Sequence, residues 1–114
     1  MSITIWHNPR CSKSRATLAL LQESGIEPTI RLYLEDAPSA AELREVLGVL
    51  GIEARGLVRK GEPAYKEAGL SAESSEKDVI EAMAGYPKLI ERPIVHANGT
   101  ARIGRPPEAV LDIL

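Results

Sequence analysis

The chain holds a single cysteine, Cys11, among 114 residues. That count excludes an intrachain disulfide framework and any metal site built from several cysteines. Stability must then come from an apolar core. With 44% hydrophobic and 26% charged residues the composition supplies one. A chain of this size buries roughly two thirds of the surface its unfolded form exposes. One domain over residues 1–114 is expected, and disorder, collagen and coiled coil fit poorly. Fourteen Lys+Arg against sixteen Asp+Glu leave a net charge of −2, which argues against nucleic acid as a general partner. No apolar run approaches a membrane span, and Met1-Ser2-Ile3-Thr4 lacks the regions of a signal peptide. A cytoplasmic protein with no membrane partner is expected. For Cys11 two readings stand: an inert buried thiol, or a lone nucleophile.

Local patterns give the order of elements. Ile3-Thr4-Ile5-Trp6 alternates and is rich in β-branched and aromatic residues, so it predicts a strand. His7-Asn8-Pro9-Arg10 forms a loop, and Pro9 turns Asn8 away from helical geometry. A helix follows from Cys11 or Ser12 to Ser24, with Leu18 and Leu21 on its apolar side and Gly25 as its stop. Thr29 to Leu34 predicts a second strand. Ser39 with Glu42 makes a capping box, and Leu43, Val46, Leu47 and Leu50 follow at helical spacing up to Gly51. Residues 52–70 predict short helices, broken at Gly61 and Pro63. Ser75 caps a helix carrying Val79, Ile80 and Met83, closed by Gly85 and Pro87. Asn98-Gly99 between two alternating segments, 94–97 and 100–103, is a strong hairpin signal. Pro106-Pro107-Glu108 opens a last helix, on which Val110, Leu111 and Leu114 are expected to pack inward. Lone Trp6 is assigned to the core, and His96 to a structural or surface role.

A β-α-β opening implies a parallel pair joined by a crossover helix, and the closing hairpin adds an antiparallel pair. The expected fold is α/β: a four-stranded mixed sheet flanked by helices, with a helical insertion at about residues 38–90 between the β-α-β and β-β-α halves. This is the plan of a thioredoxin-like domain.

Cys11 falls where a strand hands over to a helix. A helix start offers unpaired N–H groups and about half a positive charge, both of which favour a thiolate. His7, Arg10, Lys13 and Arg15 add cations nearby in sequence, and cations lower a thiol pKa. The same N–H groups can cradle an oxyanion. Free cysteines are usually small buried hydrophobes, but the flanks here are polar, cationic and proline-bearing, which favours the nucleophile. For His7, a hydrogen bond at the strand end and a role in tuning Cys11 weigh about equally.

The stretch from His7 to Arg15, followed by Leu18, resembles the active-site loop of the glutaredoxin-dependent arsenate reductase family. Leu57-Val58-Arg59-Lys60, with Glu62-Pro63 and Gly69-Leu70, resembles that family's middle motif. Glu91-Arg92-Pro93-Ile94-Val95 resembles its third. Gly104-Arg105-Pro106-Pro107-Glu108, with residues 110–114, resembles its C-terminal signature. The resemblance implies a thioredoxin-like fold, a catalytic Cys11, and Arg59, Arg92 and Arg105 as the arginines that hold the substrate oxyanion. It implies a cis bond before Pro93. His7, Ser14 and Arg15 fall in the loop that tunes or supports the cysteine. Ser12-Lys13 stand where established members usually carry Gly-Thr. Ser12 gives up glycine's backbone freedom, and Lys13 adds charge at a position that is neutral in established members.

A tetrahedral dianion calls for planar, permanently charged donors, which arginine supplies. With one thiol in the chain, the second reducing thiol has to come from another molecule. Glutathione as co-substrate, with glutaredoxin resolving the mixed disulfide, is the simplest supply. No bound cofactor or metal is expected, since no P-loop, G-x-G-x-x-G or metal-ligand cluster is present. The expected function is arsenate reduction. The alternative is a thiol oxidoreductase of the same fold acting on another oxyanion or a glutathione-linked substrate, as Ser12-Lys13 suggests. A non-catalytic regulator that binds RNA polymerase ranks third, because Ser14 stands where a C-x-x-C switch would need its second cysteine.

Overall fold

The computed structural model describes residues 2–114. Four strands form one sheet: β1 (Ile3–Trp6), β2 (Thr29–Arg31), β3 (Ile94–Ala97) and β4 (Thr100–Ile103), in the order β2-β1-β3-β4. β1 runs parallel to β2, and β3 is antiparallel to both β1 and β4. Helix α1 (Ser12–Glu23) is the crossover between the parallel strands. The chain divides into two compact units, one joining the segment up to Asp36 with Arg92–Leu114, the other comprising Ala37–Glu91.

In the first unit, strand alternation decides the buried face. Ile3 and Ile5 lie opposite Ala97 and Val95 in the ladder, so the four share one side of the sheet. Leu21 of α1 and the C-terminal residues Val110 and Ile113 close over them, with Leu18 and Ile26 at the margin. Each of the buried Ile, Leu and Val side chains contributes about 1.5–3 kcal/mol by leaving water. Trp6 is buried, its ring 5.3 Å from that of His96 and 5.2 Å below the Arg31 guanidinium. Asn98 (φ 55°) and Gly99 (φ 76°) both adopt the left-handed conformation that a tight hairpin demands.

The second unit holds α2 (Ala40–Leu50), α3 (Pro63–Glu67) and α4 (Glu76–Gly85). The capping box is present: Ser39 Oγ accepts the Glu42 N–H at 3.1 Å, and Glu42 Oε1 accepts the Ser39 N–H at 3.1 Å. Gly51 ends α2 at φ 71°. Leu43, Val46 and Leu47 are buried, as are Val79, Ile80 and Met83 on α4. The Ala54 N–H donates to both oxygens of Glu76 at 3.0 Å, tying the segment after α2 to the start of α4. The unit's later segments are joined by the Arg59 N–H to the Leu89 carbonyl (2.7 Å) and the Glu91 N–H to the Leu57 carbonyl (2.9 Å).

Two expectations are corrected. The second strand stops at Arg31, and the Glu35 and Asp36 N–H groups both bond the Leu32 carbonyl at 3.0 and 2.9 Å. That turn buries Tyr33 and exposes Leu32 and Leu34, the same alternation that a continued strand gives, so the sequence pattern does not separate the two. Between them, the short helices expected in residues 52–70 are present, at Ala54–Gly56 and in α3, and the break at Gly61 ends where Pro63 opens α3 as its first residue, a position where the missing N–H costs nothing. The last helix is a 3₁₀ helix, Pro107–Ile113. With three residues per turn, Pro107, Val110 and Ile113 stack on one side and are buried, while Leu111 and Leu114 are exposed. The expected inward set assumed α-helical spacing.

Candidate active site

Cys11 is the residue before α1, at the position whose side chain normally accepts a bond from the second or third helical N–H. Its backbone is extended (φ −96°, ψ 122°) and its carbonyl accepts the Arg15 N–H at 3.0 Å. No hydroxyl or carboxylate caps α1; the N–H groups of Ser14 and Lys13 face the sulfur instead. Burial pushes the thiol pKa up, but it is outweighed. The Ser14 N–H, the Arg92 positive charge, the Lys13 N–H and a hydrogen bond from Arg92 together hold it below its ordinary value.

The loop before the helix is fastened by short polar side chains. The Asn8 carbonyl accepts the Cys11 N–H at 3.0 Å, and Asn8 Oδ1 accepts the Arg10 N–H at 3.0 Å. The Asn8 N–H donates to Ser14 Oγ at 3.0 Å, and Ser14 Oγ lies 2.7 Å from His7 Nδ1. Arg15 Nη1 donates to the Pro9 carbonyl at 2.9 Å. His7, Ser14 and Arg15 thus fasten the loop through hydrogen bonds. The His7 N–H also donates to the Arg31 carbonyl at 2.9 Å, extending the β1–β2 pairing past the strand. Burial first, and the Arg15 charge second, push the His7 pKa down. The imidazole is therefore favoured neutral, and the cation acting on the sulfur is Arg92.

Arg92 precedes β3 with its Nε shut off from solvent, and its bond to Pro93 is cis. Arg105 follows β4 and donates through Nε to the Arg92 carbonyl at 3.0 Å, so the two arginines are joined. The Arg105-Pro106 bond is also cis, which the sequence reading did not include. The two segments meet again where the Gly104 N–H donates to the Pro93 carbonyl at 2.9 Å. A Cβ at Gly104 would come within 2.5 Å of Thr17 Oγ1 and 2.8 Å of Pro93 Cγ. Only glycine lets the arginine-bearing segments lie this close to α1. Thr17 itself is fully buried and donates through Oγ1 to the Lys13 carbonyl at 2.8 Å.

Arg59 belongs to the helical unit. It is half-buried there, with Nη1 3.4 Å from Glu62 Oε2 and donating to the Lys88 carbonyl at 3.1 Å. Sequence reasoning missed Thr17 and Gly104. The signal for Thr17 was its place one turn from Ser14 and Leu21, on a face that hydropathy alone reads as mixed. Among the described residues no three His, Cys, Asp or Glu side chains gather as a metal centre requires. No helix there is long and apolar enough to cross a membrane.

A cysteine at a strand-to-helix junction, a cis-proline segment entering the third strand and this mixed sheet define a thioredoxin-like domain. A solved structure described as arsenate reductase from Vibrio cholerae superposes with a TM-score of 0.96 at 53% identity, covering 100% of this chain and 98% of that one. The chain belongs to the ArsC family, whose signature matches residues 6–113. It is 58% identical to the Escherichia coli K12 protein called uncharacterized protein YfgD, over 98% of this chain and 96% of that one. It is 46% identical to an arsenate reductase of Neisseria meningitidis serogroup A, over 98% and 97% of the two chains.

Proposed function

We propose that this protein is an arsenate reductase with Cys11 as its only redox thiol. The observation that carries the reading is the set of donors on one sulfur: two backbone N–H groups and the Arg92 guanidinium. Such donors favour the thiolate at neutral pH and suit an oxyanion attached to it.

The Cys11 thiolate attacks arsenic, a sulfur–arsenic bond forms, and one arsenic–oxygen bond breaks with loss of water after protonation. Arg92 and Arg105 neutralise the remaining oxygens, and Arg59 completes the set, an assignment carried by its motif. Glutathione then supplies the electron pair. Its thiolate bonds to the Cys11 sulfur, and the sulfur–arsenic pair stays on arsenic, which leaves as arsenite. A glutaredoxin thiolate attacks the glutathione sulfur of the mixed disulfide and frees Cys11. His7, Ser14 and Arg15 hold the loop in place. No resident cofactor enters this cycle. The reading carries with it a cytoplasmic setting, where thiols stay reduced, and a single domain in which Ala37–Glu91 is the insertion.

The test is arsenate-dependent NADPH oxidation coupled through glutathione, glutaredoxin and glutathione reductase. Wild type turns over and Cys11→Ser does not. A folded, reduced wild type without arsenate-dependent turnover overturns the reading.

A further inference from the structure

The first turn of α1 gathers cations where a helix favours anions. Lys13 and Arg15 lie on it, Arg10 lies just before it, all three are exposed, and the turn contains no acid. A cation at this end opposes the helix dipole. The chain as a whole is acidic, with a net charge of −2, so the positive rim is a local feature. The chemistry above uses the Lys13 backbone N–H and the Arg15 bond to Pro9. It leaves the Lys13 ammonium and the Arg10 guanidinium without a task. Cys11 itself is only 9% exposed, and the exposed residues adjoining it in the chain are Arg10, Ser12 and Lys13.

We propose that Lys13, helped by Arg10, selects the thiol that resolves Cys11: it favours a donor bearing carboxylates, of which glutathione is the type, over a neutral one. The inference rests on Cys11 being a nucleophile and adds a specificity residue to that reading. Two backbone carboxylates on a tripeptide thiol meet a cationic rim and gain in encounter rate what the helix loses in stability. The substrate oxyanion is held by arginines of other segments, so the rim is free for the second anion of the cycle.

The experiment isolates this step. Cys11 is first converted to a mixed disulfide with 2-thiopyridine, an uncharged group. An incoming thiolate then attacks the Cys11 sulfur, the bond to thiopyridine breaks, and the electron pair leaves on thiopyridone, whose absorbance reports the rate. Glutathione is compared with its diethyl ester, which keeps the skeleton but caps both carboxylates. Because Cys11 is oxidised throughout, its pKa does not enter.

Lys13→Glu should slow glutathione by about fivefold, the scale of an exposed charge pair turned from attraction to repulsion, and leave the ester within about twofold. High salt should shrink the effect of Lys13→Glu on glutathione. Arg10→Glu should act in the same direction and more weakly. A Lys13→Glu protein that changes both thiols by the same factor, or neither, overturns the proposal while leaving Cys11 as a nucleophile. A Cys11 that forms no mixed disulfide overturns the nucleophile reading and this proposal together.

Discussion

Helices α1, α2 and α4 begin with the same geometry and fill it differently. Ser39 and Ser75 place a hydroxyl before α2 and α4, and each accepts the third helical N–H at 3.1 Å. Acids follow in both first turns, Glu42 in α2 and Glu76 with Asp78 in α4. These ends are satisfied and matched to the dipole. α1 carries Cys11 in the capping position, no acid in its first turn, and Arg92 where a hydroxyl would need nothing. A slot which elsewhere only stabilises a helix is here made reactive, by exchanging oxygen for an ionisable sulfur and adding a cation.

The largest effect is expected at Arg92. Arg92→Ala should raise the Cys11 pKa and cut arsenate turnover by about a hundredfold or more, as loss of a charged donor at a reacting centre does. Steady-state rates with parallel alkylation measure both. Gly104→Ala should come next. Its methyl meets Thr17 and Pro93 at 2.5 and 2.8 Å, and overpacking of this kind costs about 1–3 kcal/mol. Denaturant unfolding should show that loss, and adding Thr17→Ala should return part of it. An unchanged midpoint in Gly104→Ala would mean that the segments do not need their close approach.

Smaller effects sharpen the contrast between the helices. Ser39→Ala should cost about 1 kcal/mol of stability and leave the alkylation profile of Cys11 unchanged. Ser39→Cys in a Cys11→Ser background puts a thiol in an otherwise similar slot beside Glu42 rather than an arginine. Its pKa should lie near the ordinary value of about 8.5. Ser12→Asp gives α1 the acid it lacks. It should gain a few tenths of a kcal/mol in stability while raising the Cys11 pKa, so that melting point and reactivity move in opposite directions.

Much of the fold was legible because its signals are local. The capping box at Ser39, Asn98-Gly99 and the alternation of residues 3–6 each specify geometry within a few positions. What escaped depended on distant partners. Thr29 to Leu34 has strand composition throughout, yet a turn closed on the Leu32 carbonyl follows Arg31 and ends the strand there. The C-terminal helix has α-like composition, but its stacking of Pro107, Val110 and Ile113 is a three-residue repeat. At the site, Cys11 and the loop residues stood out by charge and position. Arg92 and Arg105 were assigned by motif, and the bond joining them runs between segments 13 residues apart. Gly104 and Thr17 act through absence of a side chain and through burial, neither of which hydropathy reports.

If its surroundings hold Cys11 as a thiolate, the titration of that one sulfur reports it. A lowered folded-state pKa also stabilises the fold: the contribution is fully present above the pKa of the unfolded thiol and is lost as pH falls through the folded value. The rate of iodoacetamide alkylation of the folded protein, followed across pH, reads that folded value. The midpoint should lie clearly below the roughly 8.5 of a free cysteine and shift upward in Arg92→Ala. A midpoint at or above the free-cysteine value, in a folded protein, would contradict it.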